Sequence, residues 1–246
     1  TNEEYNNLLN KYNLTLITST IKDSVQIDDT LTYSTDSEIN YYYNLKGYNI
    51  TTEVKQHTEN RTNSLTNEKE NIMVEGGTIS GKQEIPYENV EYGKNATKEI
   101  IITPDENYVV SKISLISTKD DGTQNTTIIY GEGEQQAEIS YTKNENGSIA
   151  LSNFENVQES KHIIAEFAPV LGTVIVHHYV DGTGEEFGNE AVKVPLKNGG
   201  VADDETKQDL LGERYATKQN ENIADIYKLV NVPENASGVY EKGVIN

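Results

Sequence analysis

Cysteine and tryptophan are both missing from the 246 residues of this chain. Without thiols the chain can form no disulfide framework, no thiolate metal site and no cysteine nucleophile. Long apolar runs are missing as well, and a helix that crosses a bilayer needs about 18 consecutive apolar residues. We therefore expect no membrane insertion by this stretch of sequence.

Basic residues are scarce: 20 Lys and Arg stand against 40 Asp and Glu, which gives a formal net charge of −20. A field of this sign repels the phosphate backbone of nucleic acids and the surface of anionic membranes. We therefore expect no nucleic-acid partner, and the same charge favours a soluble, monomeric chain.

Apolar residues make up only 35% of the chain, and the mean hydropathy is −0.66. The apolar and aromatic residues that are present suit strands, with many Ile and Val and sixteen Tyr. Thin β modules in a row each bury one layer and need less core per residue than one large globule. The composition therefore predicts a mainly β fold, α+β in part, built from small strand-rich modules in an elongated arrangement.

Residues 1–75 carry strand signals but no motif that identifies a family. Apolar residues between Tyr5 and Tyr12 recur at helical spacing and predict a short helix over residues 1–12. Gln56 to Asn71 contains no apolar residue except Leu65, and we interpret it as a loop or linker at the first domain boundary. Strands are predicted at residues 14–21, 31–33, 39–45 and 48–54.

From residue 76 to residue 168, strand signals recur about every ten residues, as in antiparallel strand-rich domains. Turns are predicted at Pro104–Asn107, at Asp120–Gly122 and at Asn146–Gly147. The apolar residues of the strand after the first turn do not alternate strictly, so we expect a bulge near Ser111. Strands are predicted at residues 97–103, 108–117, 126–130, 137–141, 148–151 and 162–167.

Two stretches of this region, IIITPDENYVVSKISL and NGSIALSNFENVQESKHIIAEF, resemble the divergent internalin-type B repeats of bacterial surface proteins. In that family a TPDEGY turn joins two strands, and a F-x-N-V step precedes the last strand. Asn107 stands where the family usually has Gly, and Asn also tolerates a positive φ. The resemblance covers residues 76–168.

The region after the second boundary, at residues 168–171, opens with the run GTVIVHHYVDGTG at Gly172. Two further steps follow this run: LGERY, which ends at Tyr215, and YKLVNVPENASG, which ends at Gly238. The three motifs stand in the order of a known repeat. Residues 169–246 resemble the mucin-binding-protein repeat of Gram-positive surface proteins, incomplete at its C-terminal end. The resemblance implies small β-grasp-like units at residues 76–168 and 169–246.

Two departures from that repeat lead to local predictions. His177 and His178 add one residue to the usual spacing, and a single extra residue turns later side chains to the other face unless a bulge absorbs it. We therefore expect a bulge at these histidines. The segment before the LGERY step is longer than usual, and we expect a helical turn over residues 203–211. The last strand of the repeat is expected in part from residues 239–245.

Catalytic motifs give no support to an enzyme: the chain has no Gly-x-Ser-x-Gly elbow, no zinc-protease helix and no phosphate-binding loop. We nominate no catalytic residue, no metal site and no cofactor. The resemblances imply an extracellular, cell-wall-attached repeat region, taken as a fragment of a longer exported protein. It is expected to act as an adhesin that binds host mucin or glycan, or alternatively as a stalk that presents a distal binding domain.

Ligand-binding residues cannot be assigned from the sequence, but some residue types are candidates. Sugar sites use aromatic faces with convergent polar groups. The candidate platforms, for which a half-buried place in a strand is the alternative, are Tyr42, Tyr48, Tyr179, Tyr215 and Tyr227.

Acidic turns and histidines are the other candidates, in this case for ions. The acidic turns at residues 120–123 and 181–186 offer some of the oxygens that Ca²⁺ prefers, yet neither has the spacing of an EF-hand, and a plain β-turn is the alternative. Adjacent strand residues point to opposite faces, so His177 and His178 can bind one metal ion only if a bulge intervenes. No stretch marks a buried Lys, Asn and acid trio for an intramolecular crosslink.

Overall fold

The computed structural model describes residues 14–21, 39–135, 137, 139–152, 154–197, 199–220, 223 and 227–246. In these residues the backbone is mainly β, as the composition predicted, and the strands form several small sheets. None of the helices in the described residues is long and apolar enough to cross a membrane. The β-grasp topology and the elongated arrangement stay predictions.

The strands are numbered in chain order. Those before residue 100 are β1 (Leu14–Ile21), β2 (Ile39–Leu45), β3 (Gly47–Val54), β4 (His57–Thr62), β5 (Lys69–Val74), β6 (Gly77–Ile79) and β7 (Glu88–Glu91). Those between residues 100 and 169 are β8 (Ile100–Pro104), β9 (Tyr108–Thr118), β10 (Gln124–Gly131), β11 (Ser140–Lys143), β12 (Ile149–Ser152) and β13 (Ser160–Pro169). The rest are β14 (Leu171–Val176), β15 (Glu205–Leu210), β16 (Arg214–Ala216), β17 (Ser237–Val239) and β18 (Val244–Ile245).

The chain divides into two compact units, each assembled from three stretches of sequence. Unit 1 comprises Thr1–Lys55, Thr78–Thr103 and Val110–Glu166, and unit 2 comprises Gln56–Gly77, Pro104–Val109 and Phe167–Asn246. The predicted segments 1–75, 76–168 and 169–246 were drawn from sequence motifs. The division into these three domains stays a prediction.

Unit 1 contains a five-stranded sheet in the order β10-β9-β13-β3-β7 and a four-stranded sheet in the order β11-β12-β8-β6, with β1 and β2 forming a separate pair. β13 pairs with β3 in parallel. Residues of β3 alternate between buried and less buried positions, as expected of a strand with one face on a core. Fully buried side chains come from both larger sheets, among them Ile50, Ile102, Ile113, Ile149 and Ile163.

Most of the strands and turns predicted between residues 39 and 168 are confirmed. Asn107 has a φ of +66° in the turn after β8, as expected for the residue that replaces Gly. Gly122 and Gly147 have φ values of +82° and +81° in the two other predicted turns. The bulge lies elsewhere: in the pairing of β9 with β10 the register shifts at Ile129 of β10, not at Ser111. The extra residue therefore lies on the partner strand, opposite Ser114 and Ile113 of β9.

Unit 2 combines an antiparallel hairpin, β4 with β5, and a C-terminal module with the sheet β15-β14-β18 and the pair β16-β17. One small core of the module contains Val174, Tyr215 and Tyr240. A second contains Val194, Ala202 and Ile223, with Tyr227 packed against it. Each core is thin, in keeping with the low apolar content.

Three local predictions were wrong. Residues 56–71 are not a linker, because they contain β4 and the first residues of β5, and the inward-facing residues of β4 are polar and give no apolar signal. Residues 203–211 form no helical turn, since β15 pairs as an edge strand along the whole length of β14. No bulge is found in a continuing strand at His177 and His178, because β14 ends at Val176. The predicted helix at 1–12 and the predicted strand at 31–33 lie outside the described residues.

Candidate functional site

Glu59 is the centre of a closed cluster of polar side chains. Strand alternation places His57, Glu59 and Arg61 on one face of β4. Arg61 Nε donates to Glu59 Oε2 at 2.7 Å, Tyr108 Oη donates to Oε1 at 2.8 Å, and His57 Nε2 lies 2.9 Å from Oε1. Arg61 Nη2 also donates to Tyr108 Oη at 2.9 Å, which closes a ring of contacts around a carboxylate whose side chain is 3% exposed.

The cluster keeps Glu59 ionised. Burial alone raises the pKa of its carboxyl, but the hydrogen bonds from Arg61, His57 and Tyr108 outweigh burial and lower the pKa. Burial raises the pKa of the Tyr108 hydroxyl, and the bond to Glu59 raises it further. Nδ1 of His57 is buried and finds no hydrogen-bond partner among the described residues.

Glu213, which lies between β15 and β16, forms a second buried acidic cluster. Its carboxylate accepts from the backbone amide of Thr62 at 2.9 Å and from the Thr62 hydroxyl at 2.6 Å. Lys69 Nζ lies 3.1 Å from Glu213 Oε2 and donates to Asp209 Oδ2 at 2.9 Å. Burial raises the pKa of Glu213, but the bonds from Thr62 and Lys69 outweigh it and lower the pKa. The cluster joins both strands of the hairpin to the C-terminal module.

Neither carboxylate is suited to proton transfer. A general acid at neutral pH needs a pKa raised towards 7, whereas the pKa values of Glu59 and Glu213 are both lowered. Their oxygens are already occupied by internal donors. The arrangement can hold chain segments together, and chemistry on a substrate would first have to break it.

A third cluster lies in the C-terminal module and is more exposed. His177 Nδ1 lies 2.9 Å from Asp204 Oδ1, without the alignment of a hydrogen bond, and Lys193 Nζ lies 3.0 Å from the same oxygen. The rings of His177 and Tyr179 stack at 5.8 Å with 18° between their planes. Contacts with His177 and Lys193 lower the pKa of Asp204. Tyr179 is 47% exposed, so this cluster presents an aromatic ring beside charged groups.

Most of the other nominated tyrosines serve the interior. Tyr48 and Tyr215 are 4% and 8% exposed, and their hydroxyls donate to Asp120 Oδ2 and to the Asn235 carbonyl. Burial, together with the charge and hydrogen bond of Asp120, raises the pKa of Tyr48 to about 12. Tyr227 packs against the second core of the module. The side chain of Tyr42 lies outside the described residues.

The acidic turns are organised by internal bonds. Asp121 Oδ1 accepts from the amide of Thr123 at 2.8 Å, which is the geometry of an Asx turn. Asp120 pairs with Lys46 at 2.9 Å. In the turn after β14, the hydroxyl of Thr183 donates to the Val180 carbonyl at 2.7 Å. Among the described residues no group of three or more His, Asp or Glu is placed to hold a metal ion.

The two buried clusters around Glu59 and Glu213 were not predicted, because neither lies in an apolar pattern or in a catalytic motif. One signal was available: His57, Glu59 and Arg61 alternate along a polar stretch, which puts a base, an acid and a base on one strand face. Glu213 carried no such signal, because its partners Thr62 and Lys69 are more than 140 residues away in sequence.

Comparisons of the chain with protein-family models, with curated proteins and with solved structures found no match. The two resemblances therefore depend on their motifs alone. In the structure the TPDENY motif forms the turn between β8 and β9, and the VPENASG motif contains a 3-10 turn at Glu234–Ala236 followed by β17.

Proposed function

We propose that this chain is a non-catalytic repeat region of a Gram-positive cell-wall surface protein, and that its modules act as a spacer. The observation that carries the spacer role is the commitment of its polar side chains to internal contacts. Glu59 and Glu213 are buried among their own donors, and each joins strands that are distant in sequence. Such contacts fix how the strands of a module dock and offer little to a ligand.

The aromatic residues support the same role. Sugar-binding surfaces need exposed ring faces, yet Tyr48 and Tyr215 are buried and donate hydrogen bonds inside their own units. The placement at the cell wall is a proposal that follows from the two motif resemblances. The strand-rich fold and the acidic composition are compatible with it.

Glycan binding by the C-terminal module is the second candidate, and Tyr179 is the observation that favours it. Its ring is 47% exposed and stacks on His177, beside the charged pair of Lys193 and Asp204. An exposed ring with adjacent hydrogen-bonding groups has the chemistry of a sugar platform. This would make the region an adhesin for host mucin or another glycan.

A glycan array with the whole chain separates the two candidates. The spacer role predicts no binding above background at high protein concentration. The adhesin role predicts binding that Tyr179→Ala abolishes and that Phe187→Ala, an exposed aromatic residue of the same module, leaves intact. Binding with that pattern would overturn the spacer proposal. The cell-wall placement would be contradicted if an antibody to this region failed to label intact cells that express the full protein.

A further inference from the structure

We propose that the β4–β5 hairpin is a strap on the C-terminal module, and that acid releases it by protonating Glu59 and Glu213. The strap is a conformational device within unit 2 and does not depend on the proposed spacer role. It would hold at neutral pH and would open while the rest of the protein stays folded.

The hairpin is held by charge more than by apolar contact. Its two strands form a sheet of their own, and the single buried side chain on them is that of Glu59. The large apolar residues Leu65 and Met73 are exposed, whereas Ile72 and Val74, which pair with Glu59 and His57, are half-buried. A released hairpin would expose these two partly covered side chains and no fully buried apolar side chain of its own strands, so the hydrophobic cost of opening is modest.

The links from the hairpin to the rest of unit 2 converge on acids. Tyr108, which begins β9, donates to Glu59 of β4. Thr62 of β4 donates twice to Glu213, and Lys69 of β5 pairs with Glu213 and with Asp209 of β15. A strap fastened in this way depends on the ionisation of a few carboxylates.

The groups around each acid determine whether protonation of that acid favours or opposes docking of the hairpin. Glu59 faces His57 and Arg61 on its own strand and Tyr108 on the adjoining segment. A protonated Glu59 would lose its ion pair with Arg61 and would bring a buried O–H that must find an acceptor, and both changes oppose docking.

Glu213 faces Lys69 on β5, and Asp209 of β15 contacts the same amine. The ring of Tyr240 lies close enough for Asp209 and Lys69 to influence its pKa, which burial raises. Protonation of Glu213 would remove one of the two negative partners of Lys69. It would also weaken both bonds from Thr62, since a neutral carboxyl is a poorer acceptor than a carboxylate.

The pH range follows from the sign of the shifts. Both carboxyls have a pKa below their ordinary value of 4.5 in the folded protein. Their contribution to docking is therefore complete above about pH 4.5 and is lost as the pH falls through the lower folded values. The strap is closed at neutral pH and opens in acid.

Hydrogen exchange of the backbone amides, followed by NMR on the whole chain, tests the strap directly. The amide of Thr62, which donates to Glu213, should lose protection by about tenfold or more between pH 6 and pH 3.5, after correction for intrinsic exchange. The amides of Ile163 and Ala165, whose residues lie in the core sheet of unit 1, should keep their protection. Loss of protection at all three amides together would show global unfolding and would overturn the proposal.

Glu213→Gln separates titration from packing. It keeps the shape of the side chain but cannot ionise, so we expect faster exchange at Thr62 already at pH 6 and a weaker response to acid. Glu70→Gln, at an exposed position of β5 whose carboxylate accepts from Asn63 within the hairpin, is the matched control and should behave like the unaltered protein, because Gln keeps that acceptor. An unchanged acid response in Glu213→Gln would contradict the role of Glu213, and the same comparison with Glu59→Gln tests the other acid.

Discussion

Glu59 shows how a single residue can decide the character of an element. It is 3% exposed yet charged, and it is surrounded by Arg61, Tyr108 and His57. A buried ion pair of this kind adds little net stability compared with apolar residues of the same size, but breaking it leaves a buried charge unpaired, which costs about 3–5 kcal/mol. The cluster therefore fixes which face of the hairpin docks more than it adds to the total free energy of folding.

Tyr48 gives a pH prediction at the scale of one residue. Its pKa of about 12 lies above the ordinary value of 10.0, chiefly because it is buried and then because of Asp120. A raised pKa means that the contribution of the neutral hydroxyl to stability is complete below pH 10 and is lost as the pH rises to about 12. We expect Asp120→Asn to lower the pKa of Tyr48 while leaving it above 10, because burial is unchanged.

NMR of the tyrosine rings during an alkaline titration measures this shift, and Tyr48→Phe identifies the resonance. Asp121→Asn is the matched control, since Asp121 bonds to Thr123 and not to Tyr48. A Tyr48 ring that titrates near pH 10 in the unaltered protein, or that does not respond to Asp120→Asn, would contradict the account.

The last residue of β10, Gly131, lies very close to the backbone of β9. Gly131, at the end of β10, has a φ of +101°, and a Cβ at this position would lie 2.3 Å from the carbonyl oxygen of Ser111. Gly122 also has a positive φ, of +82°, but a Cβ there would meet nothing within 4 Å. The two glycines thus share a backbone requirement, and only Gly131 adds a steric one.

We expect Gly131→Ala to destabilise the protein clearly more than Gly122→Ala. The second change should cost about 1–2 kcal/mol, the penalty of a positive φ for a residue with a Cβ. The first should add the cost of separating β10 from β9, where the backbone itself has to move. Urea unfolding followed by circular dichroism measures both free energies of unfolding. Equal losses in the two variants would show that the approach of β10 to β9 is not needed.

The strands also show which parts of the fold can be predicted from the sequence. Strands with one apolar face, such as β3 and β13, were predicted because burial leaves a period of two in the residue types. The β4–β5 hairpin was predicted as a linker because its docked face carries His57, Glu59 and Arg61, which have the composition of a loop. The partners of Glu213 come from another part of the chain, and spacing within one sequence cannot show that they meet.

For the molecule as a whole, the excess of acids governs stability. An apolar content of 35% limits hydrophobic stabilisation, and a net charge of −20 opposes compaction through self-repulsion. The buried acids Glu59 and Glu213 are offset by local bases, so most of the repulsion comes from exposed carboxylates, which salt screens over about 10 Å at 0.1 M. Salt therefore changes the electrostatic contribution to the stability of the whole fold, whereas a single substitution changes it at one position.

We expect the melting temperature of the chain at pH 7 to rise when NaCl is increased from about 10 mM to about 300 mM, where the Debye length falls several-fold. Screening of the net charge of −20 should outweigh the loss of exposed ion pairs such as Lys98 with Glu84, because such pairs contribute about 0–1 kcal/mol each. Thermal unfolding followed by circular dichroism gives the measurement, and choline chloride at the same ionic strength is the control for specific binding of sodium. A melting temperature that falls with both salts would mean that attraction between paired charges, and not repulsion among the excess acids, is the larger electrostatic contribution to the stability of this chain.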